Sequence, residues 1–178
     1  MKTSSIPYDL HSADSYVHLT NYSVQKYNKE FSKFEQGNEV SFNDFQNFLD
    51  KEYGQGFISV RENLYPKILE LIKIVAFSSK EKINSNDRKF SFEIFGFDFL
   101  IDKNFEAYVL EVNTNPGLEE SSNLIKMLLP RMMDDALKLT IDDIFDTKYS
   151  SEVDILSDKN NLYSPFSVEG YSDRDNLW

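Results

Sequence analysis

The sequence predicts an α+β fold: an antiparallel β-hairpin flanked by amphipathic helices. Two observations carry this prediction. Phe90–Asp102 and Glu106–Asn113 are strand-like runs of aromatic and branched residues, separated by the turn Lys103-Asn104. Around them, Phe42, Phe45, Phe48 and Leu49, and then Leu64, Ile68, Leu71, Ile72 and Val75, recur at helical spacing.

In chain order, Met1–Ser15 is polar and reads as irregular. Tyr16–Tyr22, β-branched and aromatic, reads as a strand. Gln25–Asn38 is charged and ends at Gly37-Asn38, a loop. Ser41 followed by Asp44 marks a helix start, and that helix ends near Tyr53-Gly54. A turn over Gly54–Gly56 leads to a longer helix, Arg61–Ser79, with Pro66 early, where a first turn tolerates it. Asn84-Ser85-Asn86-Asp87 is a turn before the hairpin. After Pro116-Gly117 a helix begins near Ser121 or Ser122 and runs through Leu124–Phe145, kinked or restarted at Pro130. The organisation expected is one domain over 1–148, which the resemblance described below implies is partial, and a loose acidic tail over 149–178.

Composition narrows the function. The chain has 178 residues, enough for a core, and 15% of them are aromatic, which argues against wholesale disorder. It has no cysteine, so disulfides, thiolate zinc sites and cysteine nucleophiles are excluded. The net charge of −11 does not suit a nonspecific nucleic-acid binder, and no nucleic-acid partner is expected. No apolar run reaches membrane-spanning length, and Met1–Ser5 lacks the apolar stretch of a signal peptide. A soluble, intracellular chain without a membrane partner is the expectation.

The hairpin carries the most informative side chains. With a two-residue turn, Asp98 lies opposite Val109 and Gly96 opposite Glu111, so Asp98, Glu111 and Asn113 share one face. Asp98 and Glu111 are then diagonal neighbours about 7 Å apart. Two carboxylates and an amide oxygen form a hard donor set suited to Mg²⁺ or Mn²⁺ with phosphate oxygens. Gly96 would leave room for a ligand on that face. A three-residue loop would put Asp98 on the other face. Acidic residues on a strand face are, from spacing alone, more often plain solvated surface. A calcium loop starting at Asp102 fails, because Ala107 replaces the required Gly and Asn113 the bidentate Glu. His18 reads as a hydrogen-bonded structural residue. No Gly-rich phosphate loop, nucleophile elbow or H-E-x-x-H is present.

Four blocks, in order and spacing, resemble the tubulin–tyrosine ligase and ligase-like family. They are His18-Leu19-Thr20-Asn21-Tyr22-Ser23-Val24-Gln25-Lys26, Phe34-Glu35-Gln36-Gly37-Asn38-Glu39, Phe92–Asp102, and Leu110-Glu111-Val112-Asn113-Thr114-Asn115-Pro116. The resemblance covers about Tyr16 to Phe145. It implies the C-terminal portion of an ATP-grasp domain, with a mainly antiparallel sheet. It implies a reaction in which ATP phosphorylates a carboxylate and an amine attacks the acyl-phosphate to form an amide. By position, Asp98, Glu111 and Asn113 would hold Mg²⁺ (or Mn²⁺) between ATP phosphates. Thr20 and Asn21 would face the nucleotide and the reacting carboxylate. Lys26 would contact an acidic substrate, a surface lysine being the plainer reading. The implied partners are tubulin or microtubules and a free amino acid, and the implied location is cytoplasmic, at the cytoskeleton or cilium. The family's phosphate-binding lysines and adenine hinge lie upstream of the blocks found here, so the missing N-terminal half of the domain is a further expected partner. The alternative function is a catalytically incomplete homologue that binds tubulin or another partner.

Overall fold

The computed structural model describes residues 1–141 and Ile144. The tail expected over 149–178 lies outside them, as does the predicted end of the last helix at Phe145. The described residues divide into two compact units: Met1–Asn43 together with those from Glu119 onward, and Asp44–Leu118.

In the first unit, α1 (Ser15–His18) and α2 (Tyr22–Gln25) occupy the segment predicted as a strand. Local capping overrides the β-prone composition there. The Asp14 carboxylate accepts from the Tyr16 N–H at 2.9 Å, and the Asn21 carbonyl accepts from the Val24 and Gln25 N–H groups. The junction between the two helices is extended at Leu19. A 3₁₀ turn, Gln36–Asn38, closes the following loop, with Gly37 at φ +68. An isolated antiparallel bridge joins Lys2 to Glu39. Helix α5 (Asn123–Thr140) starts at Ser122, whose hydroxyl accepts from the Ile125 N–H, and runs through Pro130 without a break. The Gln36–Glu39 segment caps it: Gln36 Oε1 accepts from the Asn123 N–H at 3.1 Å, and the Glu39 carboxylate accepts from the Ser121 and Ser122 hydroxyls.

Helix α3 (Phe42–Tyr53) begins just after Ser41, as its sequence predicts, and buries Leu49. In the second unit, Gly54 and Gly56 both take positive φ and form the expected turn. The long helix differs at its start. A π-helical turn (Val60–Leu64), capped by the Ser59 hydroxyl at the Glu62 N–H, precedes α4 (Tyr65–Ile83). Pro66 sits in the first turn of α4, where its missing N–H costs nothing. The side chain of Gln46 ties α3 to this start, donating to the Ile58 carbonyl at 2.9 Å and accepting from the Val60 N–H at 2.7 Å.

The hairpin is shorter than predicted: β1 is Gly96–Ile101 and β2 is Ala107–Asn113. Among the described residues these two antiparallel strands are the whole sheet, so the broader, mainly antiparallel sheet implied by the resemblance is not seen there. Among the described residues buried apolar side chains are few: Val17 in the first unit, and Leu49, Val60 and Leu64 in the second. The predicted α4 stripe is otherwise half-buried, because a two-stranded sheet is narrow cover for a 19-residue helix.

Candidate functional site on the hairpin

The loop holds three residues, not two. The Phe105 N–H donates to the Asp102 carbonyl at 3.0 Å, and the Asp102 N–H donates to the Glu106 carbonyl at 3.0 Å. Phe105 closes the turn in the left-handed region at φ +60. Its ring meets Tyr53 and Phe57 at centroid distances of 6.0 and 6.1 Å, and its carbonyl accepts from Lys67 at 3.2 Å. These contacts offset the strain of a left-handed residue with a bulky side chain.

A three-residue loop alone would pair Asp98 with Leu110 and send Glu111 to the opposite face. A β-bulge corrects this. Between Asp98 and Phe99 the register shifts, so Phe99 pairs with Val109 but Asp98 pairs with Glu111 and Gly96 with Asn113. Leu110 is the extra residue, and Leu110 and Glu111 are consecutively exposed where a regular strand would alternate. The loop and the bulge each displace the register by one, and together they restore the parity that brings Asp98, Glu111 and Asn113 to one face. The predicted diagonal relation is therefore wrong in detail: Asp98 and Glu111 are directly opposite. Asn113 donates to Glu111 Oε1 at 3.3 Å, which leaves the amide oxygen turned away from that carboxylate.

The space expected beside Gly96 is taken. A Cβ there would stand 2.8 Å from Cβ of Pro116, so the glycine admits the proline, not a ligand. Asp102 is committed to its own loop, accepting from the Asn104 and Glu106 N–H groups at 2.8 and 2.9 Å. The Glu106 N–H, before the Asn104 bonds, holds the Asp102 carboxyl below its ordinary range. Among the described residues no group of three His, Cys, Asp or Glu side chains gathers, so any cation at the hairpin would rely on the amide as its third protein donor.

The remaining predicted residues belong to the first unit. Thr20 and Asn21 are exposed at the junction of α1 and α2. Lys26 is exposed at the end of α2, its ammonium 5.6 Å from the centre of the Tyr22 ring and 5.2 Å from that of Tyr27. His18 bonds the Ser12 carbonyl at 2.7 Å and packs edge-on to Tyr8, the structural role expected of it. Sequence reasoning missed Gln25, the most deeply buried large side chain among the described residues, because a glutamine in a polar segment carries no signal of burial.

The hairpin thus presents two opposed carboxylates and an amide on one face of an α+β chain. The chain belongs to the tubulin-tyrosine ligase family, whose model matches residues 1–149. It is 34% identical over 143 residues to tubulin glycylase 3D of Tetrahymena thermophila, covering 74% of this chain and 13% of the relative. It is 30% identical to tubulin glycylase 3A of Drosophila melanogaster, covering 83% of this chain and 15% of that one. It is also 30% identical to probable tubulin polyglutamylase TTLL9 of Rattus norvegicus, covering 70% of this chain and 26% of that one. The chain thus spans about a quarter or less of the length of these relatives.

Proposed function

We propose that this chain supplies the metal-handling part of an ATP-dependent ligase that joins an amino acid to a carboxylate of tubulin or another acidic protein. The reading rests on the opposed pair Asp98 and Glu111, with Asn113 on the same face. Family membership, which implies an ATP-grasp-like fold, and the likeness to a tubulin glycylase and a probable tubulin polyglutamylase support it. Two carboxylates and an amide oxygen fit Mg²⁺ or Mn²⁺, which take their other ligands from water and phosphate. Bound there, the cation would neutralise charge on the phosphoryl group being transferred.

The chemistry balances in two steps. The substrate carboxylate takes the γ-phosphoryl group of ATP and ADP leaves. The amine of the incoming amino acid then attacks the acyl-phosphate, losing a proton as phosphate departs and the amide forms. In this reading Asp98, Glu111 and Asn113 orient the phosphates, Thr20 and Asn21 face the nucleotide and the reacting carboxylate, and Lys26 attracts an acidic chain. Its place would be at microtubules, in the cytoplasm or cilium.

Calorimetric titration of Mg²⁺·ATP into the chain tests this. Saturable binding is expected, reduced at least about tenfold in Asp98→Ala and in Glu111→Ala, since each removes a charged ligand. Equal affinity in both variants would overturn the metal assignment. No binding to a folded chain would favour a partner-binding homologue instead.

A further inference from the structure

Gln25 is fully buried, and its side chain reaches three separate backbone groups of the first unit. Nε2 donates to the carbonyls of Tyr16 (2.9 Å) and Leu19, and Oε1 accepts from the Ser5 N–H at 3.0 Å. Beside it, buried Asn38 donates to the Ser5 hydroxyl at 2.7 Å and to the Thr3 carbonyl, and accepts from the Ser32 N–H at 2.9 Å. The carbonyl of Leu19 is the last backbone acceptor before Thr20 and Asn21. Neither of these two exposed side chains makes a hydrogen bond among the described residues, whereas the backbone on both sides of them is held. The N–H groups of Val24 and Gln25 return to the Asn21 carbonyl, and that of Leu19 to Ser15.

We infer that Gln25 is a positioning residue: its buried amide fixes the backbone at Leu19 so that Thr20 and Asn21 are presented in one orientation. This rests on the reading above for what Thr20 and Asn21 do, but not for how they are held. An apolar side chain of the same volume would fill the space and hold nothing. It would leave the buried Ser5 N–H and the Leu19 carbonyl without their partners and the Tyr16 carbonyl with the Ser4 hydroxyl alone, a costly change confined to this segment.

Hydrogen exchange tests the holding, and nucleotide affinity tests its purpose. In Gln25→Met the amides of Leu19, Val24 and Lys26 should exchange on the order of tenfold faster or more, while Lys126 in α5 of the same unit keeps its rate. Mg²⁺·ATP affinity should fall in Gln25→Met and in Asn21→Ala, and the double variant should lose no more than the worse single one. In the wild-type chain the Nε2 protons of Gln25 should exchange far more slowly than those of exposed Gln55, a measurement that stands even if Gln25→Met fails to fold. Unchanged exchange in a folded Gln25→Met, additive losses in the double variant, or Gln25 protons as fast as those of Gln55 would each overturn the inference. If the wild-type chain binds no Mg²⁺·ATP, the ligase reading fails by itself and exchange alone decides the role of Gln25.

Discussion

Gly37 and Gly54 share a left-handed backbone and differ in their surroundings. At Gly37 (φ +68) an added Cβ would stand 2.9 Å from the Ser121 carbonyl oxygen, while at Gly54 (φ +95) nothing lies within 4 Å. Gly54→Ala carries only the backbone penalty, about 1 kcal/mol. Gly37→Ala adds a clash with main chain and disturbs the contact that caps α5, so it should cost about 2–4 kcal/mol in urea denaturation. Equal costs would show that the Gly37 loop yields freely. Asp102 supplies a pH prediction at the same scale. Its carboxyl is held below the ordinary value of 3.8 by loop N–H groups, so the folded form binds its proton less readily than the unfolded one. The stabilisation is present above that ordinary value and is lost as pH falls through the folded pKa. The N–H signals of Asn104 and Glu106 should therefore shift together, with a midpoint below 3.8, in an NMR titration. Asp102→Asn should abolish that step.

At the scale of elements, the hairpin shows how far patterning reaches. Its strands, and the shared face of Asp98, Glu111 and Asn113, were legible in the alternation of the sequence. The register was not. A Phe at φ +60 is a poor left-handed residue, so Lys103-Asn104 looked like the complete turn, and nothing in Val109-Leu110-Glu111 marks the bulge. Two one-residue errors cancelled, and the face came out correct for an incomplete reason. Tyr16–Tyr22 failed differently: β-propensity reflects packing on a sheet, and the Asp14 side-chain cap and the Asn21 carbonyl offered the backbone local partners instead. Gly96 is the element-scale prediction. Its strand meets Pro116, whose ring cannot rotate away, so Gly96→Ala should lose about 1–3 kcal/mol and loosen the Gly96–Asn113 end of the ladder, read as faster exchange there than at Leu100. A stability within about 0.5 kcal/mol of wild type would mean that Pro116 is displaced at no cost.

For the whole molecule, the α+β class and the five longest elements follow from periodicity, while the division into two units does not. Units are defined by contacts across the chain, and the excursion from Asn43 to Leu118 and back at Glu119 has no marker in composition. Charge is more informative at this scale. Of the net −11, most lies beyond Thr140, and residues 1–139 are close to balance. An acidic partner would thus meet local lysines such as Lys26, whose ammonium is steadied by the faces of Tyr22 and Tyr27.

The aromatic clasp on Phe105 makes the hairpin a lever. Tyr53, Phe57 and Lys67 grip the loop end, while Asp98 and Glu111 stand four residues up the strand from Asp102, about 14 Å away at strand rise. Rotation about that grip is magnified along the arm. A tilt of roughly 5° at the tip, negligible for the rings that hold it, would carry the carboxylates through about 1 Å, a shift comparable to the difference between the ligand distances of Mg²⁺ and a plain water contact. If the acidic pair holds a cation as proposed, side chains remote from it would set the accuracy with which it is aimed.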